Sequence, residues 1–384
     1  MGFNRASLLK AIDATAGPLL CRCFGAWQYE TGPRSPPEQI RCADLRRILI
    51  IRPGGMGDMI VLYPVIRALQ EACRSAEIDV ACETRNAQVL TLAGMGDRIK
   101  VYDRSPLTFL SGLRRRRYDV AIDTEQFHHF SAVFACASGA PVRIGFNINP
   151  RRNPLYTHLV SYDPAGREGD QFMRLLAPLG LQDPAYELEG ALARLPPAAV
   201  PPDDGDLARV MDRGDFAVVH AGASTPYKLW QEAGYAELLA FLHGRRGIGA
   251  VLVGDAGDAA VSRRIVATLK TSGVPAVSCA GRCGFPVTAG IMKRARLFVG
   301  ADSGLAHLAV AMAVPSVVLF GPTDHVKWGI ENARHAVVRY PLACSPCFIF
   351  GYHKPCRHVA CMRKITAATV QDACEKVLGM HPRP

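Results

Sequence analysis

The segment Phe298–His307 constrains the fold most tightly, because it joins an apolar run to a helical one through Asp-Ser-Gly. This pattern predicts a buried strand, a sharp turn and a helix start, and Ser316–Gly321 predicts the next strand. Unpaired N–H groups and the dipole at a helix N-terminus both favour anions, so the turn suits a phosphate or sugar oxygen. The alternative is an ordinary capped junction with a packed histidine. The candidate residues here are Asp302, Ser303, Gly304 and His307.

The composition is that of a globular protein. The chain has 384 residues, 49% hydrophobic and 21% charged, enough for about two domains. No run of about 18 apolar residues occurs, so no transmembrane helix is expected. Asp13 and Pro18 interrupt the apolar N-terminus, which argues against a signal peptide and predicts a cytoplasmic protein, free or peripheral on the inner face of the cytoplasmic membrane. The net charge of +11, densest at Arg114–Arg117, suits an acidic partner, and a solvated basic face is the alternative.

Strand-like and helical segments alternate from Arg46 onwards, which predicts parallel sheets covered by helices on both faces. Apolar residues at helical spacing within 1–30 predict an amphipathic helix that docks on the protein or lies on a membrane. A Pro-rich stretch, Leu195–Asp206, predicts an interdomain linker. The predicted segments are an N-terminal helix and linker at 1–44, Rossmann-like domains at 45–200 and 207–340, and a Cys-rich tail with a final helix at 341–384.

A glycine-rich loop, Pro53–Asp58, follows the first predicted strand and opens a helix, as loops that hold phosphates or sugars do. It has neither the GxGxxG spacing nor the Gly-Lys-Ser/Thr ending of the nucleotide-binding loops. Asp58 is either an N-cap or a general base, kept ionised by the helix N-terminus. Gly55 and Gly57 are candidate loop contacts.

Two more loops follow predicted strands in the second half of the chain. The loop His220–Trp230 carries hydroxyls and an ammonium group that suit a diphosphate, and a plain surface loop is the alternative. Its candidate residues are Ser224, Thr225 and Lys228. The loop Phe320–Trp328 contains Thr323, which either reaches a ligand or belongs to a simple turn.

The chain contains 13 cysteines, an odd count that argues against the disulfide framework of a secreted protein. Four of them follow the spacing Cys-x2-Cys-x8-Cys-x4-Cys near the C-terminus. Four thiolates suit a structural zinc or iron ion, while packed thiols or one local disulfide are the alternatives. The candidate ligands are Cys344, Cys347, Cys356 and Cys361.

The order of these motifs resembles that of the heptosyltransferases, glycosyltransferase family 9, over about residues 46–379. The matching segments are Ile48–Pro64, the 220–230 loop, the 302–307 and 320–323 turns and the Cys361-Met pair. The resemblance implies an α/β fold of the GT-B type, in which two Rossmann-like doubly wound domains, one for the acceptor and one for the nucleotide-sugar, face a central cleft. It implies inverting transfer of a heptose from ADP-heptose to a lipopolysaccharide core acceptor, an anionic glycolipid. No cofactor is required for such a transfer.

The resemblance also assigns roles. Asp58 resembles the catalytic base of the family. The residues that resemble diphosphate ligands are Ser224, Thr225 and Lys228, and those that resemble contacts to donor phosphate and sugar are Asp302, Ser303, Gly304 and His307. Asp255 and Asp258 both lie where the family meets the nucleoside, and the sequence does not choose between them. Gln231 departs from the family, in which many members carry proline.

Other function classes stay open at this point. A family-9-like transferase with another nucleotide-sugar or a protein acceptor would carry the same motifs. A non-catalytic nucleotide-sugar-binding protein would keep the fold without needing both Asp58 and Lys228. A Rossmann oxidoreductase would need the dinucleotide fingerprint that Gly54–Gly57 lacks. Nucleic acid is not an expected partner, because no basic-aromatic interleaving or helix-turn-helix signal is present.

Overall fold

A computed structural model describes residues 5–31, 40–181, 184–194, 205–212, 214–349, 352–353 and 356–379. The chain divides into two compact units, which we call unit 1 (Met1–Glu187) and unit 2 (Leu188–Pro384). Most of the predicted linker at 195–206 and part of the one at 31–44 lie outside the described residues, and the domain boundaries stay predictions. None of the helices in the described ranges has the length and hydrophobicity needed to cross a lipid bilayer.

Unit 1 is built on a six-stranded parallel sheet with the strand order β3-β2-β1-β4-β5-β6. Its elements are α1 (Arg5–Thr31), β1 (Arg47–Arg52), α2 (Met56–Ala72), β2 (Glu77–Cys82), α3 (Thr84–Leu92), β3 (Ile99–Val101), α4 (Pro106–Arg116), β4 (Val120–Asp123), α5 (His129–Ala137), β5 (Val142–Phe146), β6 (His158–Val160) and α6 (Glu168–Arg174). The central strand β1 is buried on both faces, which explains its unbroken apolar run Ile48–Ile51.

Unit 2 repeats this arrangement with the order β12-β11-β10-β7-β8-β9, and its paired strands are again parallel. Its elements begin with α7 (Gly205–Asp212), β7 (Phe216–His220), α8 (Glu232–Arg246), β8 (Gly249–Leu252), α9 (Ala259–Thr271), β9 (Ala276–Ser278) and α10 (Phe285–Arg294). They continue with β10 (Leu297–Ala301), α11 (Gly304–Ala311), β11 (Ser316–Phe320), α12 (His325–Trp328), β12 (His335–Arg339), the hairpin β13 (Phe348–Ile349) and β14 (Tyr352–His353), α13 (Ala360–Arg363) and α14 (Ala367–Gly379). Both units are therefore doubly wound, and the α/β fold prediction is confirmed.

The predicted amphipathic helix within 1–30 is α1, and it docks on unit 1. Asp13 caps α5, because its carboxylate accepts the N–H groups of His129 (2.9 Å) and Phe130 (2.7 Å). A Cβ at Gly17 would lie 2.5 Å from the Cβ of His129, so only glycine permits this close helix crossing. Cys21, one turn further along α1, is buried in the same interface. These contacts fix the orientation of α1 on the unit.

Candidate active site

In each unit the strand order reverses direction at one point, between β1 and β4 in unit 1 and between β7 and β10 in unit 2. Doubly wound proteins bind ligands at this switch point, beyond the carboxyl ends of the two strands, because the connecting loops diverge there. Asp58 follows β1, Lys228 follows β7, and the turn with Asp302 follows β10. Strand topology thus places the predicted residues at the two switch points.

Lys228 and Asp302 form a buried ion pair at the switch point of unit 2. The Lys228 ammonium donates to Asp302 Oδ2 at 2.9 Å and to the Asp302 carbonyl oxygen at 3.3 Å. The two side chains are only 10% and 8% exposed. The ring of Phe348 lies under the ammonium, with its centroid 5.2 Å from Nζ. Lysine carries three donor protons, and the two contacts to Asp302 use two of them.

The surroundings of Asp302 keep its side chain ionised. Burial raises the pKa of this carboxyl, but the positive charges of Lys228 and His307 outweigh burial and bring its pKa below the usual value. His307 Nε2 lies 3.9 Å from Asp302 Oδ1, and the imidazole ring also stands beside Trp328, with 6.1 Å between ring centroids. Thr323 is buried after β11. The structure therefore gathers Lys228, Asp302 and His307 into one cluster.

Ser303 takes part in a second set of contacts, which sequence reasoning missed. His220, the last residue of β7, has Nδ1 3.1 Å from Ser303 Oγ and Nε2 3.2 Å from Asp258 Oδ2. Burial raises the pKa of Asp258, but its hydrogen bond and charge interaction with His220 lower the pKa further, so this carboxyl is also ionised. The only sequence signal was a histidine that ends an otherwise apolar strand.

The Asp258 carboxylate is held against two glycines. A Cβ at Gly222 would lie 1.8 Å from Asp258 Oδ1, and one at Gly254 would lie 2.4 Å from Oδ2. Gly254 also has a φ of +153°, which side-chain-bearing residues rarely adopt. Asp258 is therefore occupied by His220 and by the N–H of Asp255 (3.0 Å), while Asp255 itself is exposed.

The N-terminus of α11 opens beside these groups. Ser303 occupies the N-cap position in extended conformation (φ −159°, ψ 168°), and its side chain makes no capping hydrogen bond. The N–H groups of Gly304 and Leu305 have no carbonyl within the helix to bind, because of helix geometry. Ser303 therefore does not cap this helix end, which is able to receive an anion. Two further predicted residues lie on the loop after β7: Ser224 is exposed and Thr225 is half-buried.

At the switch point of unit 1, Asp58 is the third residue of α2 rather than its N-cap, because the helix begins at Met56. Its Oδ2 accepts the N–H of Gly55 at 2.7 Å, and its Oδ1 accepts from Arg52 Nη2 at 2.8 Å. Gly54, with a φ of +117°, makes the turn that lets this carboxylate fold back. The Asp58 side chain stays 30% exposed, so solvent or a ligand can reach it.

Arg52 itself was not predicted as a site residue. It is 4% exposed, lies 4.8 Å from the ring centroid of Phe172, and donates to the Thr124 carbonyl at 2.8 Å. Burial lowers its pKa, but Asp58, Glu125 and Glu168 together raise it, so the guanidinium stays charged. The Arg52 guanidinium therefore interacts with Asp58 and also with the buried carboxyl groups of Glu125 and Glu168.

The four tail cysteines lie near one another without forming a metal-binding geometry. Burial is the main cause of the raised pKa of the Cys361 thiol. The nearby thiols of Cys344, Cys347 and Cys356 raise that pKa further by electrostatic interaction. Within the described ranges, which include all four, no three His, Cys, Asp or Glu side chains stand close enough to hold a metal ion. The metal-site prediction stays a prediction.

Two doubly wound units, with a lysine–aspartate pair beside an open helix N-terminus in one and a carboxylate at the switch point of the other, are suited to binding a phosphorylated ligand. The model of glycosyltransferase family 9 (heptosyltransferase) matches residues 107–358. The chain belongs to this family.

Relatives agree with this assignment. The chain is 27% identical to lipopolysaccharide heptosyltransferase 3 of Escherichia coli over 289 residues, 71% of this chain and 82% of the relative. It is 24% identical to lipopolysaccharide heptosyltransferase 1 of Pseudomonas aeruginosa, over 78% of this chain and 86% of the relative. The fold matches that of E. coli heptosyltransferase WaaC with ADP, with a TM-score of 0.69, 20% identity and coverage of 86% and 99% of the two chains.

Proposed function

We propose that this glycosyltransferase moves a heptose from ADP-heptose to a lipopolysaccharide core acceptor, an anionic glycolipid, with inversion at the anomeric carbon. The names of its relatives support the substrates. The Lys228–Asp302 pair beside the N-terminus of α11 is the observation that carries the proposal, since it fixes an ammonium group with one proton left to donate next to unpaired helix N–H groups.

In this proposal Lys228 meets the donor diphosphate. Two of its protons are held by Asp302, so the third has a fixed direction before the donor arrives. Gly304 and Leu305 add N–H donors from the start of α11. The diphosphate gains negative charge as the sugar leaves, and prearranged donors stabilise that charge more than they stabilise the bound donor.

His220 acts as a positioning residue for Ser303 in this scheme. Asp258 holds the imidazole from one side, and the imidazole contacts the Ser303 hydroxyl from the other, which fixes where that hydroxyl points. Asp255 Oδ1 accepts the N–H of Gly257 at 2.7 Å, but its side chain is exposed, whereas Asp258 is held by His220, so Asp255 is the carboxylate that we assign to the nucleoside. His307 and Thr323 complete the donor side, and Ser224 and Thr225 reach the diphosphate from the loop after β7.

Asp58 is the proposed base. It accepts the proton of the acceptor hydroxyl while the acceptor oxygen bonds to the anomeric carbon, and the bond from that carbon to the diphosphate breaks with its electron pair leaving on ADP. Hydrogen bonds from Arg52 and Gly55 fix the direction of the carboxylate. The proton moves to it as the new bond forms.

Asp58→Asn tests the mechanism because it keeps the shape and one oxygen acceptor. Turnover is expected to fall by about 10²- to 10⁴-fold, while the dissociation constant for ADP stays within about twofold. Turnover is measured as ADP release with ADP-heptose and a purified core acceptor. Asp97→Asn, on a surface turn of the same unit, is the matched control and is expected to leave both values unchanged. Near-normal turnover of Asp58→Asn would remove Asp58 from the base role.

The donor is tested separately by a thermal-shift panel of nucleotide-sugars. ADP-heptose is expected to raise the melting temperature more than UDP- or GDP-sugars do, since a ligand that binds the native state stabilises it by mass action. A larger shift with another nucleotide-sugar would reassign the donor. Binding without product in the ADP-release assay would identify a non-catalytic binding protein instead.

We also propose that the tail cysteines hold a structural zinc or iron ion that takes no part in the transfer. The tail reaches the donor side, because the N–H of Cys347 donates to the Pro322 carbonyl at 2.8 Å and the next residue is Phe348, under Lys228. No three of these side chains stand close enough in the described ranges to hold an ion, so the thiolates of Cys344, Cys347, Cys356 and Cys361 would have to draw together around it, which would fix the hairpin that carries Phe348.

A further inference from the structure

The helix α1 presents an apolar surface outward. Its inward face is fixed by Asp13, Gly17 and Cys21, so the opposite face has a defined direction. Leu19, which is 64% exposed, lies opposite the inward face, and Leu20, which is 36% exposed, lies on the flank between the two faces. In the described part of the chain, Leu19 is the most exposed of the large hydrophobic residues. Apolar side chains held outward on a docked helix suggest a partner that is itself apolar.

A hollow of about 990 Å³ continues this surface between α1, α4 and α5. Its apolar walls are formed by Cys23, Phe24, Leu110 and Ala137. Leu19 and Leu20 lie one helical turn before Cys23 and Phe24, so the exposed leucines and the hollow share one side of α1. The hollow is thus the inner part of a continuous apolar strip.

Arginines surround this hollow. Arg114, Arg115 and Arg117 line it and are exposed. Arg116 points elsewhere, because its guanidinium binds Asp79 at 2.9 Å and Glu77 at 2.8 Å. The basic run in the sequence therefore divides into one structural arginine and three that stand beside the apolar strip.

We propose that this α1–α4 face docks on the anionic surface of a lipid bilayer, with Leu19 and Leu20 entering the acyl region and Arg115 and Arg117 meeting lipid phosphates. The apolar strip alone would suit a protein partner equally. A strip bordered by arginines matches an anionic leaflet, because the apolar side chains fit its acyl region and the arginines fit its phosphate headgroups. The net charge of +11 adds long-range attraction to the same surface. The inference goes beyond the proposed transfer reaction, since the lining of the hollow includes none of the proposed site residues.

The test is co-sedimentation of the full chain with vesicles of phosphatidylcholine, alone or mixed with phosphatidylglycerol. The unmodified chain is expected to bind the mixed vesicles and not the neutral ones. Arg115→Glu with Arg117→Glu should weaken binding at least tenfold, since each basic residue near the surface contributes a factor of about five. Leu19→Ser should weaken binding about tenfold without any change of charge.

Arg263→Glu with Lys270→Glu, on the exposed face of α9 in unit 2, is the matched control with the same change of charge, expected to stay within about twofold. Melting temperatures show that each variant is folded. An equal loss of binding in this control, no binding of the unmodified chain to mixed vesicles, or self-association through Leu19 in sedimentation would each overturn the proposal.

Vesicle binding needs no donor, so it is measured independently of the transfer reaction. ADP release with a water-soluble core fragment as acceptor should be unchanged in Arg115→Glu with Arg117→Glu, and that result supports a separate docking surface. If turnover on this fragment falls as far as vesicle binding, the arginines belong to the reaction site and the docking proposal is wrong.

Discussion

The strength of the Lys228–Asp302 pair can be measured with a double-mutant cycle of Lys228→Met, Asp302→Asn and the combined variant. At 2.9 Å, two unit charges attract by about 6 kcal/mol when the effective dielectric constant is about 20. Dehydration of both groups offsets much of this attraction. Each single substitution leaves a buried charge without its partner and is expected to lower the free energy of unfolding by about 3 kcal/mol. The combined variant should lose less free energy of unfolding than the two single variants lose together. The difference, which is the coupling energy, should be at least about 2 kcal/mol.

The assay is urea denaturation followed by tryptophan fluorescence at neutral pH. The matched control is the same cycle on Arg294 and Asp212, an ion pair of the same unit with 3.1 Å between charges but side chains 48% and 69% exposed. Its coupling energy should be below about 1 kcal/mol, because solvent screens an exposed pair. If the Lys228–Asp302 coupling is no larger than that of the control, the buried pair does not exist as described.

The pair also sets a pH dependence. The pKa of Asp302 lies below its usual value of 3.8 in the folded chain. The stability that this gives is therefore present above pH 3.8 and lost as the pH falls through the lower, folded value. Asp302→Asn should remove this acid-induced loss, and denaturation midpoints measured between neutral and acid pH would show the difference. An unchanged acid profile in Asp302→Asn would contradict the assignment.

Three other predictions follow from contacts outside that pair. His220→Ala should weaken ADP binding about tenfold in calorimetric titration, because the Ser303 hydroxyl loses its fixed direction, and His220→Asn should restore part of the affinity through an amide in place of Nδ1. Asp13→Ala should lower the free energy of unfolding by about 1 kcal/mol, because α5 loses its cap, and increase hydrogen exchange in α1, because α1 loses the two hydrogen bonds that hold it to α5. Elemental analysis of the purified chain should find one zinc or iron, and Cys347→Ser should remove it.

Each of these predictions has a clear opposing result. Equal ADP affinity in His220→Ala would show that the imidazole only packs. Unchanged exchange in α1 of Asp13→Ala would mean that apolar contacts alone hold the helix. A chain without metal, in which Cys347→Ser melts at the same temperature, would leave the tail thiols as packing groups.

Most of the fold could be predicted, because long apolar runs and glycine turns are local signals. The strand predicted over Ser316–Gly321 is β11, which ends one residue earlier, at Phe320, in the structure. No strand was predicted at the positions of β5, β6, β9 and β12. Their place depends on pairing with a neighbouring strand.

The candidate site was harder to predict, because its contacts join distant residues. Lys228 and Asp302 were both named, but as separate ligands, since their pairing spans 74 residues and depends on β7 lying beside β10. His220 and Arg52 end apolar strands and look like parts of the core in the sequence. Only the strand order shows that each of them faces a switch point.

The cap that Asp13 provides to α5 joins positions 116 residues apart. During synthesis, α1 leaves the ribosome long before the chain that it will cap exists. Translation at about 5 to 20 residues per second leaves roughly 6 to 23 seconds between the synthesis of Asp13 and that of His129. Throughout that interval both faces of α1 are uncovered. Its leucines can therefore contact chaperones or lipid before the rest of unit 1 has folded against the inward face of the helix.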